Sequence, residues 1–224
     1  MHNGYPRTRP GATLAILVVF RETGTPDTTH RVRIAALFAT LSHAFSDRRL
    51  RRFYGVNFLL YLAIFGFFRS YPMYLVDEYR MDVSRVSEIV AWVGVPIVLA
   101  NLWLTGFLTA RLRIKTMTVG SAALTGIFMV GIVVPATPLA LWPLLFLTGA
   151  ALAICLPSCA TLLSNAAPTT EQGLVMGNNQ ALQVAAEALS GLAAGLLAAI
   201  IVKLPLLVLG AIAIGTSILV ALAF

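Results

Sequence analysis

Charge is what this sequence has least of. Only 11% of its 224 residues are Asp, Glu, Lys or Arg, against 58% apolar, and the mean hydropathy is +0.86. A soluble domain carries roughly 25% charged residues. Between Lys115 and Glu171 there is no charged side chain at all. A water-facing surface cannot be built from such a stretch, so lipid is the solvent for most of the chain. That excludes a water-soluble enzyme, a nucleic-acid module and a disulfide-stapled secreted domain. The net charge of +7 collects in short loops, a pattern explained by membrane orientation.

Other absences narrow the chemistry further. His2, His30 and His43 all precede the first full apolar run, so no imidazole is available within the membrane for a haem, a serine–histidine dyad or a metal. Cys155 and Cys159 lie one helical turn apart. Two thiols with no further ligand make no zinc site, and they are read as small packing residues. No Walker-type phosphate loop occurs, which excludes ATP-driven work by this chain. No catalytic residue, metal or organic cofactor is expected.

What is present is six runs long enough to cross a bilayer at about 20 residues each. They fall at 53–76, 86–110, 116–135, 139–165, 172–201 and 204–224, and are taken as spans one to six of an all-α integral membrane protein. The breaks carry turn chemistry: Asp77 to Asp82, Arg111 to Lys115, Pro135 to Pro138, Pro168 with Thr169 and Thr170, and Lys203 to Pro205. Lys and Arg set the orientation. One set of loops holds Arg21, Arg31, Arg33, Arg48, Arg49, Arg51, Arg52, Arg111, Arg113 and Lys115, the other only Arg80, Arg85 and Lys203. The positive side is cytoplasmic, so both ends of the six-span domain face the cytoplasm of a cell (inner or plasma) membrane.

The domain plan is a tail over 1–10, a remnant of a spanning helix over 11–21, a basic amphipathic cytoplasmic loop over 22–52 and the six-helix domain over 53–224. The largely apolar run Ala12 to Phe20 is only nine residues long, about 14 Å of helix. Arg21-Glu22-Thr23 follows it without a small-residue cleavage site. Residues 31–46 place Ile34, Leu37, Phe38, Leu41 and Phe45 on one side, a pattern suited to a helix on an anionic leaflet.

Span five is the informative one. At about 100° per residue with Gln183 as zero, Asn179 falls near −40°, Ser190 near −20°, Glu187 near +40° and Gln180 near +60°. These five polar side chains share one arc, and Gly177, Gly191 and Gly195 cluster beside it. The glycine edge suits close helix packing, and the polar arc suits a cavity or bundle interior. Glu187 lies about 24 Å along the axis from both Glu171 and Lys203, near the bilayer middle. A carboxylate there costs at least ~2.5 kcal/mol on insertion scales. Burial in hydrocarbon favours the uncharged acid, so Glu187 is the candidate proton-coupling or cation-binding group. Asn57 in span one, Asn101 in span two, and Ser158, Thr161, Ser164 and Asn165 in span four are further cavity candidates. Arg69 is expected to snorkel or to pair with Asp77 or Glu78, or else to supply a counter-charge in the pathway. Pro96 and Pro157 are expected to kink spans two and four. Spans three and six lack charges and amides and look lipid-facing.

The loop Gly106-Phe107-Leu108-Thr109-Ala110-Arg111-Leu112-Arg113-Ile114-Lys115 and the opening of span five by Glu171-Gln172-Gly173 and Gly177 give the chain a family likeness. With the basic stretch before span one, they make it resemble the carboxy-terminal half of a major facilitator superfamily transporter, and in particular drug–proton antiporters of the tetracycline-efflux type. Gly106, Leu108, Arg111 and Lys115 fit the family's loop motif, whereas Ala110 stands where its acid belongs and Arg113 where its second glycine belongs. The resemblance covers about residues 11–224. It implies two inverted three-helix repeats, a cavity lined mainly by spans one, two, four and five, and gating by Gly106, Arg111 and Lys115. It also implies proton-coupled efflux of a small hydrophobic or amphipathic molecule driven by the proton gradient. Because such transporters close a cavity between two six-helix halves, the chain is expected to be a truncated or split transporter that joins a second half or a second copy. An interaction scaffold or an inactive fragment is the alternative.

Overall fold

The computed structural model describes residues 48–223. The expected tail, helix remnant and amphipathic segment at 31–46 lie outside the described residues. Six helices are long and apolar enough to cross a membrane, and among the described residues there is no strand. We label them α1 (Arg48–Tyr79), α2 (Val83–Arg111), α3 (Ile114–Gly131), α4 (Pro138–Ala166), α5 (Gln172–Ile200) and α6 (Leu204–Ala223).

Two boundaries differ from the sequence expectation by more than three residues, each for a local reason. α1 begins at Arg48 rather than at residue 53. Arginine is a good helix former, and Leu50, Phe53 and Tyr54 bury against Leu163 and Val175, which fixes the first turns. The basic run thus forms the end of a spanning helix instead of a loop. α3 ends at Gly131, before the expected residue 135. Proline biases the residue before it away from helical geometry, and Pro135 follows. Its carbonyl there accepts from the Tyr79 hydroxyl at 2.6 Å, tying the α1–α2 turn to the α3–α4 turn.

The pairing of helices has a repeat logic. α1 packs on α5 as α2 packs on α4, α1 meets α6 as α4 meets α3, and α3 packs on α6. Exchanging the first three helices for the last three maps this set of neighbours onto itself. That is the arrangement expected of two related three-helix units. The odd-numbered helices run one way and the even-numbered ones the other. One end of the bundle therefore gathers Arg51, Arg52, Arg111, Arg113 and Lys115, and the other gathers Glu78 and Lys203.

α3 and α6 are not simply lipid-facing, contrary to the sequence reading. Each buries a stripe of small and hydroxyl-bearing residues against the other: Thr118, Ser121, Thr125 and Gly126 on α3, Gly210, Ala213, Thr216 and Ser217 on α6. A methyl group on Gly126 would lie 2.6 Å from the Gly210 carbonyl oxygen, and one on Gly210 would lie 2.9 Å from the Gly126 carbonyl oxygen. Ser217 Oγ donates to the Val119 carbonyl at 2.8 Å. Small residues that let backbones approach are the usual means of helix association where no hydrophobic force acts between helices. Periodicity alone missed this stripe because Thr, Ser and Gly do not stand out against an apolar helix.

Pro96 and Pro157 both lie inside α-helical runs, and the irregularity of α2 is a π-helical stretch at Ala100–Leu104, beyond Pro96. Proline removes one backbone donor, and side chains take up carbonyls around the break: Asn101 Nδ2 donates to Ile97 at 2.9 Å and Thr105 Oγ1 to Ala100 at 3.0 Å. The second repeat packs closely here, since a methyl on Gly149 of α4 would meet Pro96 Cγ at 2.8 Å.

Candidate functional site: the seam between helices 1 and 5

α1 and α5 run parallel, and their contacts advance in step along the seam. The seam begins at the basic end, where Tyr54 Oη donates to the Val175 carbonyl at 3.4 Å. Next comes a buried chain of side chains: Asn57 Nδ2 donates to Asn179 Oδ1 at 2.9 Å, and Asn179 Nδ2 donates to Tyr61 Oη at 2.8 Å. Asn57 and Tyr61 are four apart and so share one face of α1. Both bond the Asn179 amide of α5. Leaving the Asn179 amide unpaired in this interior would cost roughly 1–3 kcal/mol.

Eight residues further along each helix, about 12 Å, the seam reaches its charged pair. Arg69 Nη2 stands 3.9 Å from Glu187 Oε1. The two side chains are 52% and 48% exposed, so neither is sealed in the core. This corrects the expectation that Arg69 pairs with Asp77 or Glu78. Glu78 is held by Lys203, with Nζ to Oε1 at 2.6 Å, at the end of the seam far from the basic residues. Arg69 instead reaches across to the Glu187 carboxylate. Beside the pair lies an open groove of about 330 Å³ lined by Arg69, Ser70, Met73, Gly191, Ala194, Gly195 and Ala198.

The polar arc of α5 is divided by this packing. The buried face is centred on Asn179, Ala186 and Ser190, not on Gln183. Asn179 and Ser190 therefore turn into the seam, Gln183 is half-buried, and Gln180 and Glu187 sit on the exposed flank. Ser190 Oγ donates back to the Glu187 carbonyl at 2.7 Å. The glycine edge also divides. Gly191 lies against the Arg69 side chain, whereas nothing in the described chain comes within 4 Å of a methyl placed on Gly177 or Gly195. Within the described residues those two do not bring a neighbouring helix close.

The remaining candidates are not gathered at the seam. Asn101 is exposed and bonded within its own helix. Ser158 and Thr161 likewise donate to their own helix, at Cys155 and Pro157. In the loop motif, Gly106 has open space around it. Arg111 stacks over the Phe107 ring at 4.2 Å. Lys115 Nζ donates to the Ala221 carbonyl at 3.1 Å, where a cation complements the last turn of α6. Sequence reasoning missed Tyr61, although its spacing from Asn57 was the available signal, and it missed Ser70 and Met73, which carry none. Among the described residues no group of three His, Cys, Asp or Glu side chains is placed to hold a metal, and the two cysteines are buried free thiols.

With this geometry in hand, comparison with protein families finds a match to the Major Facilitator Superfamily over residues 14–224. The chain belongs to that family. Its fold is half of the family's fold, a six-helix membrane-embedded bundle, and its members are membrane transporters that typically need no cofactor. A comparison with curated proteins finds no match.

Proposed function

We propose that the chain is the carboxy-terminal half of a proton-coupled secondary transporter that exports a small hydrophobic or amphipathic molecule, with Glu187 as the group that takes and releases the proton. The observation that carries this reading is one carboxylate at the middle of a spanning helix, 3.9 Å from an arginine and beside an open groove. An ionisable group at that depth is costly, and its persistence is accounted for by a task that needs a proton. Gln180, Gln183, Asn179, Ser190, Asn57, Asn101 and Arg69 are the cargo-contacting candidates in this reading. Gly106, Arg111 and Lys115 act in the loop that moves as the two halves rock. The antiporter character and the tetracycline-efflux likeness rest on the loop motif and the opening of α5.

The orientation follows from the basic end. Arg51, Arg52, Arg111, Arg113 and Lys115 face the cytoplasm by the positive-inside rule, in an inner or plasma membrane. A second six-helix half, or a second copy, covers the flank of α5 on which Gly177, Gly195 and Gln180 lie open. The proton gradient is the energy source.

The test is transport of a panel of amphipathic dyes from vesicles holding the complete assembly, with and without an imposed proton gradient. Wild-type protein moves at least one dye in a gradient-dependent manner and Glu187→Gln abolishes that dependence. Gradient-driven movement that survives the substitution removes Glu187 from the role.

A further inference from the structure

We propose that Arg69, seated over Gly191, is the resident counter-ion of Glu187, and that the groove beside the pair takes an uncharged, slender amphipathic cargo rather than a cation. This rests on Glu187 as the proton site and adds to that reading the charge class of the cargo.

The first support is the direction in which Arg69 reaches. Side chains on a helix lean toward its N-terminus, and α1 and α5 are parallel. The Arg69 side chain therefore passes Gly191 and ends at Glu187, one turn nearer the N-terminus of α5. A snorkelling arginine would extend toward the nearer end of the bundle, where Glu78 and Lys203 lie. The second is the notch at Gly191. A methyl there would stand 3.3 Å from Arg69 Nε and 3.4 Å from Cδ and Cζ, so a larger side chain displaces the guanidinium. Gly191 is in this sense a positioning residue.

The third support is the charge inventory around the pair. Arg69 is the one charged side chain of α1 between Arg52 and Asp77. α6 carries no ionisable side chain. α4 offers Cys155 and Cys159, which lie near Tyr61 and thus by Asn179, about 12 Å along the seam from Glu187. Among the described residues the ionised carboxylate accordingly has one cation at hand, and it is built in. A cationic cargo entering the groove meets the guanidinium as a like charge. An uncharged cargo meets a compensated pair. When Glu187 takes a proton the guanidinium loses its partner, and the groove then presents an unpaired cation, which disfavours uncharged cargo. Proton and cargo exclude one another, as exchange requires.

The experiment uses the full chain in lipid nanodiscs and an isosteric pair of probes, the cation trimethylphenylammonium and the uncharged tert-butylbenzene. Ligand-observed NMR reads the binding, with empty nanodiscs subtracted. Wild-type protein is expected to bind tert-butylbenzene and to discriminate against the cation. In Arg69→Gln the cation gains about tenfold in affinity, and it loses that gain in Arg69→Gln with Glu187→Gln. Arg69→Lys keeps the wild-type order. Gly191→Leu, which retains both charges, reproduces Arg69→Gln and carries the test if that variant does not insert. Preference for the cation in wild-type protein, or an unchanged order in Gly191→Leu, overturns the proposal. Gradient-driven flux in Glu187→Gln separates the two ideas. Flux that survives there, with the probe order still inverted in Arg69→Gln, removes the proton role and leaves the counter-ion. The opposite pair of results removes the counter-ion alone.

Discussion

Asn179 of α5 is held from two sides by α1, accepting from Asn57 at 2.9 Å and donating to Tyr61 at 2.8 Å. One amide thereby fixes the register of two parallel helices, and everything further along the seam depends on that register. A slip of one residue would rotate Glu187 by about 100° away from Arg69.

The coupling across that amide is measurable. A double-mutant cycle of Asn57→Ala and Asn179→Ala, followed by thermal or steric-trap unfolding in lipid, is expected to give an interaction energy of about 0.6–1.7 kcal/mol, the range for interhelical hydrogen bonds in membranes. Additive single effects would mean that the amide does not join the helices.

The close approach of α3 and α6 makes a second prediction. Gly126→Leu inserts a branched side chain where a methyl already comes within 2.6 Å of the opposing backbone. Overpacking of this kind costs about 1–3 kcal/mol, seen as a lowered unfolding midpoint in detergent. Gly215→Ala is the control, since nothing lies within 4 Å of its added methyl, and it leaves the midpoint in place.

The tie between Glu78 and Lys203 joins the far end of α1 to the turn between α5 and α6. Both side chains are more than a third exposed, so the pair contributes little to stability by itself, about 0–1 kcal/mol. Its expected effect is on geometry. Glu78→Lys loosens the far end of the seam, seen as a broadened spin-label distance distribution between α1 and the α5–α6 turn. The reversed pair, Glu78→Lys with Lys203→Glu, narrows it again.

Lys115 gives a smaller and separate effect. Its ammonium caps the Ala221 carbonyl, and Lys115→Met is expected to cost about 0.3–1 kcal/mol through the last turn of α6. Faster amide hydrogen exchange confined to that turn would report it.

The six spans and their order were legible in the sequence because hydropathy over about 20 residues is a strong, local signal. The place of Glu187 near the middle of α5 was legible for the same reason, as counting along a helix is reliable. Helix partners were not legible. The buried face of α5 is set by which of its sides meets α1, and the arc centred on Gln183 was drawn without that knowledge. Arg69 shows the same limit: its sequence neighbours Asp77 and Glu78 were visible, while Glu187, 118 positions away, became its partner through packing. Hydroxyl and glycine stripes on α3 and α6 were overlooked because helices without charge or amide were taken to need no polar partner.

The most direct measurement is infrared difference spectroscopy of the protein in lipid across a pH step, comparing wild type with Glu187→Gln and with ¹³C-labelled glutamate. If Glu187 takes and releases a proton within the bundle, the wild type shows a protonated-carboxyl band that shifts with the label and is missing from the Gln variant. Identical difference spectra for the two proteins would contradict the account.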